Sequence, residues 1–287
     1  MSTNTPTPPS TTDAETTEFD WQGHRGARGL LPENTIPAFI KALEFSKVKT
    51  LELDVVVAKG GSIIISHEPW FSEKICSKPD RTPVSEEEAK TLKIYDMTYE
   101  QIKQYDCGSR GNERFPEQKA MAIYKPSFMD MVSNVELHCE KQQLPKPEYN
   151  IELKSQPEYY GVMTPAPQEF VRYLLDEIDL LNIKERVTLQ SFDLNILQEI
   201  RKQDSTVVTA LLIENMNSVQ ENIDKLGWIP HKYSPYYMLL NEKVIKEIHD
   251  LGMLVVPWTV NDPEVMSRLK KLGVDGIITD YPNLIPE

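Results

Sequence analysis

The sequence predicts an α/β fold in which eight parallel strands close into a (β/α)8 barrel of the TIM type, with an inserted segment after the second strand. From Phe19 onward, short apolar runs alternate with longer stretches of helical periodicity, the pattern of units that build a parallel sheet. The chain has 287 residues, and α/β barrels often reach this size as one domain. An open doubly wound sheet has the same local pattern. However, no Gly-x-Gly-x-x-Gly motif follows the first strand, which disfavours the dinucleotide-binding form of that sheet.

The predicted elements follow one another at regular spacing. The strands are expected at residues 20–23, 50–57, 149–153, 187–190, 206–212, 228–233, 254–259 and 276–279. Helical stretches between them include residues 35–45, 168–181, 194–202, 241–251 and 263–272. Asp262-Pro263 places a capping side chain before a proline at the first helical position, and Gly252 and Gly273 fall where helices should end.

Two parts of the chain depart from this alternation. Residues 1–18 are rich in Ser, Thr and Pro and cannot bury enough apolar surface to fold, which predicts a disordered tail before a barrel domain at 19–287. Residues from about 68 to 125 are polar and irregular, which predicts an insertion. Long insertions in such folds often cap a site, but a surface decoration without function fits the sequence as well.

The composition excludes some partners. A net charge of −13 repels nucleic acid backbones, so no nucleic acid partner is expected, whereas a local cluster of cations still permits a small phosphate-containing ligand. No stretch approaches the roughly 18 consecutive apolar residues of a membrane span, so no integral membrane segment is expected. The tail lacks the features of a signal peptide. The chain as written would therefore be cytoplasmic, and periplasmic or secreted if an export signal was removed. Nothing in the sequence indicates an oligomeric state.

Three cysteines form neither a disulfide scaffold nor a Cys-x-x-Cys zinc motif. Cys76 and Cys107 lie in the same irregular segment and are the pair that a disulfide would join. Three reduced thiols is the simpler alternative, and the sequence leaves both open.

Charged pairs mark two of the predicted strands. Residues two apart on a strand point to the same face, so Glu52 lies beside Asp54, and Glu152 beside Lys154. Three carboxylates at one barrel mouth require a cation, and their oxygens suit Mg2+ or Ca2+ better than zinc. The alternatives are surface charges for the first pair and a structural ion pair for the second.

Two histidines and an arginine lie close to these pairs in the predicted topology. His24 ends the first strand, and His67 follows a predicted hairpin through Lys59-Gly60-Gly61. Active sites of barrels gather at the carboxyl ends of the strands, and imidazole titrates near neutral pH, so acid–base roles are expected rather than structural ones. Arg25 offers a planar fork for a phosphate oxygen; a salt bridge to a barrel carboxylate is the alternative.

These residues belong to a series of motifs that resembles the glycerophosphodiester phosphodiesterase family. In order, the motifs are Gly23-His24-Arg25-Gly26, Glu33-Asn34-Thr35, Glu52-Leu53-Asp54, Ser66-His67-Glu68, Ile151-Glu152-Leu153-Lys154, Gln190-Ser191-Phe192-Asp193, Trp258-Thr259-Val260-Asn261 and the run from Gly273 to Pro282. The likeness covers nearly the whole chain from about residue 20. So many motifs in one order are far more specific than any single tetrapeptide.

The resemblance implies a TIM barrel, one divalent cation (Mg2+ or Ca2+) and acid–base hydrolysis of glycerophosphodiesters to glycerol 3-phosphate and an alcohol. Carried over by position, the acid–base histidines are His24 and His67, the metal ligands are Glu52, Asp54 and Glu152, and the cations on the phosphate are Arg25 and Lys154. Trp258 would pack against the glycerol, or would belong to the core. The family often has Asp where this chain has Glu68, and the inserted segment departs from the commoner sequence. Of all the properties of the family, the preferred alcohol is therefore the one that the resemblance implies least strongly for this chain.

Two other functions fit the same features. One is a phospholipase-like phosphodiesterase acting on another lipid head group; three acidic ligands and the absence of an apolar docking helix disfavour it. The other is a non-catalytic protein that binds polyol phosphates. Two histidines beside a full carboxylate set disfavour that reading, because binding alone needs no pair of acid–base groups.

Overall fold

The computed structural model describes residues 18–287, so all but the last residue of the predicted tail lies outside the described residues and its disorder stays a prediction. Nine strands of the described part form one sheet. They are β1 (Asp20–His24), β2 (Val48–Val57), β3 (Ile63–Ile65), β4 (Glu148–Leu153), β5 (Val187–Ser191), β6 (Val208–Ile213), β7 (Lys232–Pro235), β8 (Leu254–Val255) and β9 (Gly276–Thr279).

Eight of these strands are parallel and form the predicted barrel. The neighbour order is β8-β7-β6-β5-β4-β2-β1-β9, with β3 antiparallel to β2 outside this path. Backbone hydrogen bonds join the two ends of the path: Asp275 N–H donates to Val255 O (2.9 Å) and Ile278 N–H donates to Pro257 O (3.0 Å). The fold class predicted from the alternation of strands and helices is confirmed.

Nine α-helices accompany the strands in the described part of the chain. They are α1 (Ile36–Leu43), α2 (Glu86–Ala89), α3 (Tyr99–Ile102), α4 (Phe128–Gln142), α5 (Pro167–Leu181), α6 (Leu194–Gln203), α7 (Val219–Leu226), α8 (Glu242–Asp250) and α9 (Pro263–Leu272). The boundaries of α9 are those expected, since Asp262 accepts from the Glu264 and Val265 amides and Gly273 ends the helix with a left-handed φ of 94°. None of the helices in residues 18–287 is long and apolar enough to cross a membrane.

The two faces of β2 explain why the strand combines apolar and acidic residues. Leu51, Leu53 and Val55 are fully buried in the main hydrophobic core, which lies between the sheet and the surrounding helices. Glu52 and Asp54 are also buried, and they point to the other face, into the barrel. The predicted division of the strand into an apolar and an acidic face is therefore correct.

The inserted segment has a small core of its own. The predicted hairpin is present, with the backbone turning at Gly60 (φ 90°) and Gly61 (φ 93°). Beyond β3 the chain forms α2 and α3, and buried residues such as Phe71 and Ile102 pack with Val56 and Ile64 in a second hydrophobic cluster.

A disulfide joins Cys76 to Cys107 within this cluster, while Cys139 is a buried free thiol. Of the two possibilities that the sequence left for the cysteines, the structure has the disulfide.

Most strand bounds lie within two residues of the prediction, but two strands differ from it by four residues at one end. The predicted strand at 228–233 is shifted to Lys232–Pro235, because α7 ends at Gly227 with a left-handed φ of 87° and the chain needs the next residues to return to the sheet. Strand β8 is only Leu254–Val255 instead of 254–259, since Pro257 has no N–H to donate to a sheet neighbour.

Candidate active site

The carboxyl ends of the parallel strands surround a cavity of about 350 Å3. Seven of the eight residues singled out in the sequence line it: His24, Arg25, Glu52, His67, Glu152, Lys154 and Trp258. The eighth, Asp54, lies within the carboxylate group described next. The topology thus brings all eight to the same end of the barrel, where active sites of this fold are found.

Three carboxylates lie together on neighbouring strands. The parallel register places Asp54 of β2 directly beside Glu152 of β4, and Glu52 is two residues earlier on the same face. Each residue offers one oxygen such that all three oxygens lie within 4.8 Å of one another. The three side chains are buried, so their mutual repulsion is not screened by water.

The ionisation of these carboxyls reflects their crowding. Burial, followed by repulsion from Asp54 and Glu152, raises the pKa of Glu52 well above its usual range. Burial also raises the pKa of Glu152 despite the ammonium of Lys154 at 2.7 Å. For Asp54, burial acts in the same direction, but Arg25 and other cations nearby hold its pKa well below the usual range.

A divalent cation fits this group. Asp54 Oδ1 is buried and has no hydrogen-bond partner among the described residues, which is costly for a charged oxygen unless a cation is bound to it. Carboxylate oxygens are the ligands that Mg2+ and Ca2+ prefer. Glu52, Asp54 and Glu152 could therefore hold one such ion.

His24 is oriented by the carboxylate of Asp280, the residue directly after the last strand. Its Nδ1 lies 2.6 Å from Asp280 Oδ1, so Nδ1 carries the proton and Nε2 is left as the acceptor, 3.8 Å from Glu52 Oε2. Burial lowers the pKa of His24 even though Asp280 opposes the shift. The pKa of Asp280 itself falls to about 2 in spite of burial, since His24 and Arg28 stabilise its charge.

Asp280 is in turn fixed by Asn261. The Asn261 Nδ2 group donates to Asp280 Oδ2 (2.8 Å), and Asn261 Oδ1 accepts the Asp280 N–H (2.9 Å). Thr279 Oγ1 lies 3.3 Å from the same amide oxygen. This pattern settles which side of the Asn261 amide is the donor.

Arg25 follows His24 in a tight turn that directs both its backbone and its side chain at the carboxylates. Its φ is 52°, and its N–H donates to Glu52 Oε2 (3.1 Å). Gly26 completes the turn with a φ of 82°, where an added Cβ would lie 2.5 Å from the carbonyl carbon of Ala38. No residue other than glycine fits there without moving α1.

The Arg25 guanidinium is held by two carboxylates. Its Nε lies 3.0 Å from Asp54 Oδ2 and its Nη1 lies 2.7 Å from Glu33 Oε1. The salt bridge given as the alternative for Arg25 is thus present. Nη2 has no hydrogen-bond partner among residues 18–287, and the side chain still lines the cavity. Glu33 also binds Arg28 Nε at 2.8 Å, so these ion pairs tie the loop after β1 to β2.

His67 lies at the root of the inserted segment. Its Nδ1 is 2.9 Å from Glu68 Oε1, and its side chain is 31% exposed, against 12% for His24. Lys125, at the other end of the segment, is buried, and this burial lowers its pKa although Glu68 and Glu33 oppose the shift. The two histidines therefore differ in exposure, and each has its own carboxylate partner.

A chain of buried amides supports the carboxylates from below. Asn150 Nδ2 donates to Gln22 Oε1 (2.8 Å) and to Gln190 Oε1 (3.2 Å). Gln190 Nε2 then donates to Glu52 Oε1 (2.9 Å). The amide chain fixes the rotamer of Glu52, which is the usual task of groups behind a metal ligand.

The wall on the β5–β8 side is aromatic. Trp258 and Phe192 meet edge to face with ring centroids 5.5 Å apart, and Tyr236 lies 5.8 Å from Trp258. Trp258 Nε1 donates to Ser234 O (2.8 Å), so the indole is held against β7 while it lines the cavity. Glu214, just beyond β6, lines the same wall.

Several residues at the site were quoted in sequence motifs without being given a role. Asp280 directly follows the last strand, and Glu33 and Asn34 lie in the loop after the first. Their position after the carboxyl end of a strand, the same feature that identified His24, could have marked them as site residues. Asn34 Nδ2 donates to Asp54 Oδ2 (2.8 Å), across 20 residues of sequence.

Comparison with known proteins places this site in a family. The sequence matches the glycerophosphoryl diester phosphodiesterase family over residues 24–284, a range that contains every residue of the site. The chain belongs to the glycerophosphoryl diester phosphodiesterase family. The predicted family and enzyme class, a phosphodiester hydrolase, are confirmed.

Individual members of the family match along nearly the whole chain. A glycerophosphodiester phosphodiesterase from Caldanaerobacter subterraneus is 31% identical over 91% of this chain and 94% of its own length. One from Bacillus subtilis is 29% identical over 91% of this chain and 83% of its own.

Solved structures agree in fold. One from Silicibacter pomeroyi, assigned as a glycerophosphoryl diester phosphodiesterase, superimposes with a TM-score of 0.81 at 28% identity, covering 94% of this chain and 92% of its own. An Oleispira antarctica phosphodiesterase solved with the product sn-glycerol-3-phosphate has a TM-score of 0.72 at 19% identity. The match covers 93% of this chain and 94% of the Oleispira chain.

Proposed function

We propose that the enzyme hydrolyses glycerophosphodiesters to glycerol 3-phosphate and an alcohol, with one divalent cation and two histidines as acid and base. The observation that carries the proposal is the meeting of two carboxylate-paired histidines and a three-carboxylate group at one cavity. The relative from Oleispira antarctica, bound to sn-glycerol-3-phosphate, supports the same product.

Glu52, Asp54 and Glu152 would hold the cation, either Mg2+ or Ca2+. A bound divalent ion supplies Lewis-acid stabilisation of the charge that builds up on the phosphate oxygens. The amide chain ending at Gln190 keeps Glu52 in place for this task.

Arg25 and Lys154 would bind the phosphate. Lys154 Nζ lies 2.7 Å from Glu152 and 3.8 Å from Asp54, which places the ammonium at the edge of the carboxylate group. Arg25 has its Nη2 free of protein partners in the described residues, and a guanidinium suits a phosphate oxygen. Both cations keep their charge, because attraction to the neighbouring carboxylates outweighs burial and raises both pKa values.

His24 and His67 would move the protons. One removes the proton of the nucleophile, and the other protonates the leaving alkoxide. The proton on Nδ1 of His24 leaves Nε2 able to accept, and Asp280 stabilises the imidazolium that forms. The nucleophile is either the glycerol 2-hydroxyl, giving a cyclic phosphate, or water; proximity favours the hydroxyl of the same molecule.

The glycerol would lie against the aromatic wall. Trp258 offers an apolar face to the carbon backbone, and the neighbouring Glu214 carboxylate can accept from a hydroxyl group. In this orientation the alcohol of the other ester would point towards the inserted segment, whose Arg114 also lines the cavity.

The test is turnover of glycerophosphoethanolamine, followed by 31P NMR, in the wild type and in His24→Ala and His67→Ala variants. We expect each variant to lose about 10²- to 10⁴-fold in kcat and to retain binding of glycerol 3-phosphate. His249→Ala is the matched control, because His249 is also paired with a carboxylate, Asp275, at 2.8 Å but does not line the cavity. Unchanged kcat in both site variants would refute the two-histidine mechanism.

The same measurement separates the alternatives. A non-catalytic polyol-phosphate binder would bind glycerol 3-phosphate and release no product from any diester. A phospholipase-like enzyme would act on an intact lipid in preference to the deacylated diester. Appearance of a cyclic phosphate signal before glycerol 3-phosphate would identify the 2-hydroxyl as the nucleophile.

A further inference from the structure

The inserted segment places at the cavity a cation that the proposed chemistry does not use. Arg114 lies between α3 and α4 and lines the cavity together with the two histidines. Each other Lys or Arg on the cavity wall lies within 2.8 Å of a carboxylate oxygen; they are Arg25, Arg28 and Lys154. Within residues 18–287, the Arg114 guanidinium has neither an ion-pair nor a hydrogen-bond partner.

The Arg114 guanidinium lies over an aromatic platform. Phe115 is 4% exposed, and the Arg114 guanidinium carbon lies 5.7 Å from the centroid of its ring. Arg28 stacks on the same ring at 4.6 Å, and Tyr281 packs beside it with centroids 6.1 Å apart. Cation–π contacts of this kind hold a guanidinium without using its N–H donors, so these donors are available to a ligand.

The backbone around Arg114 is also held in place. Asn112 Oδ1 accepts the Arg114 N–H (3.1 Å), and Asn112 O accepts the Phe115 N–H (2.8 Å). Gln118 Nε2 donates to Arg28 O (2.8 Å), which joins the turn to the loop that carries Arg25. The backbone of the turn is therefore held in place, and the exposed Arg114 side chain extends from it to the cavity.

The opposite wall has the opposite charge. Glu214 lines the cavity beside Phe192, and in the described part of the chain its carboxylate has no ion-pair partner. Neutral hydroxyls of glycerol can donate to this carboxylate, whereas an anionic group is repelled by it. The two charged walls therefore favour one orientation of the substrate, with the glycerol towards Glu214 and an anionic alcohol towards Arg114.

We propose that Arg114 gives the enzyme a preference for glycerophosphodiesters whose alcohol carries a carboxylate or another anionic group. A planar guanidinium with free N–H groups binds a carboxylate through two parallel hydrogen bonds. The inference rests on the proposed function. It means that the inserted segment determines which alcohol the enzyme prefers. Arg114 is a specificity-determining residue and takes no part in proton transfer.

Glycerophosphoserine and glycerophosphoethanolamine provide a matched test, since they differ by one carboxylate. We expect kcat/KM of the wild type to favour the serine diester by about fivefold, the effect of one charge-assisted contact to an exposed side chain. Arg114→Glu should reverse the preference, and Arg114→Lys should keep most of it. Lys74→Glu makes the same charge change on an exposed residue of the inserted segment that does not line the cavity, and should leave the ratio unchanged.

Other outcomes overturn the inference. A wild-type ratio of one or less would refute the preference while leaving the proposed function standing. An equal loss of kcat/KM on both substrates in Arg114→Glu would show that Arg114 serves the shared phosphate or the fold. Failure of the wild type to hydrolyse either diester, with either metal, would refute the proposed function and the inference together.

Discussion

Replacing Asp280 by asparagine should invert the tautomer of His24 and nearly abolish turnover. Asn261 Oδ1 accepts the backbone N–H of residue 280 (2.9 Å), so Asn261 must use its Nδ2 to donate to the side chain there (2.8 Å). An asparagine at 280 would turn its oxygen to Asn261 and its NH2 to His24. His24 Nδ1 would then become an acceptor, and the proton would move to Nε2.

The expected loss follows from the chemistry of an oriented imidazole. With a proton on Nε2, the neutral ring can no longer accept a proton at the cavity, and the negative charge that stabilised the imidazolium is gone. Replacement of an orienting Asp by Asn in a hydrolytic triad costs about 10⁴-fold in kcat. We expect about 10²- to 10⁴-fold here, or roughly 3–5 kcal/mol of transition-state stabilisation.

The assay measures kcat and KM of Asp280→Asn with glycerophosphoethanolamine, together with the 15N shifts of His24 that report its tautomer. Asp275→Asn is the control. Asp275 also pairs with a histidine, His249, at 2.8 Å, and it lies next to the other end of β9, away from the cavity. The control should keep its kcat. A folded Asp280→Asn enzyme within threefold of wild type would refute the assigned role of the His24–Asp280 pair.

Three further predictions concern the support of the site and the stability of the fold. Gln190→Ala removes the donor to Glu52 Oε1 and should weaken metal binding about 10- to 100-fold, measured by titration calorimetry. Reducing the Cys76–Cys107 disulfide, which spans 31 residues, should cost ~3–4 kcal/mol in urea unfolding. Burial raises the pKa of Glu177 to about 7. The contribution of this residue to the free energy of unfolding is therefore fully present at low pH, and it is lost as the pH rises through about 7. Glu177→Gln should therefore be more stable than wild type at pH 8 by ~3 kcal/mol and nearly equal at pH 4.5.

The contradicting results are equally specific. Unchanged metal affinity in Gln190→Ala would mean that the amide chain does not position Glu52. A loss of less than 1 kcal/mol on reduction would show that the inserted segment is stable without its disulfide. If the stability of Glu177→Gln had the same pH dependence as that of the wild type, a group other than Glu177 would determine that dependence.

Residues whose position follows from local pattern were predictable from the sequence. Period-two spacing placed Glu52 with Asp54 inside the barrel, because their neighbours Leu51 and Leu53 had to face the helices. The alternation of strands and helices then set both at the same end as Glu152. These deductions need only the geometry of a strand and of a parallel barrel.

Other features depend on contacts that no local pattern encodes. His24 and Asp280 are 256 residues apart in sequence, and only barrel closure between the first and last strands brings them together. Arg114 reaches the cavity through an irregular turn held by Asn112. In both cases the residue types were visible, but their partners depend on long-range packing.

Metal dependence of turnover tests the central claim most directly. Release of glycerol 3-phosphate from glycerophosphoethanolamine would be measured before and after EDTA, then with Mg2+ or Ca2+ restored, in wild type and in Glu52→Gln. We expect EDTA to abolish turnover, one of the two ions to restore it in wild type, and Glu52→Gln to need far more metal. Full turnover after metal has been shown to be removed would contradict a catalytic cation at Glu52, Asp54 and Glu152.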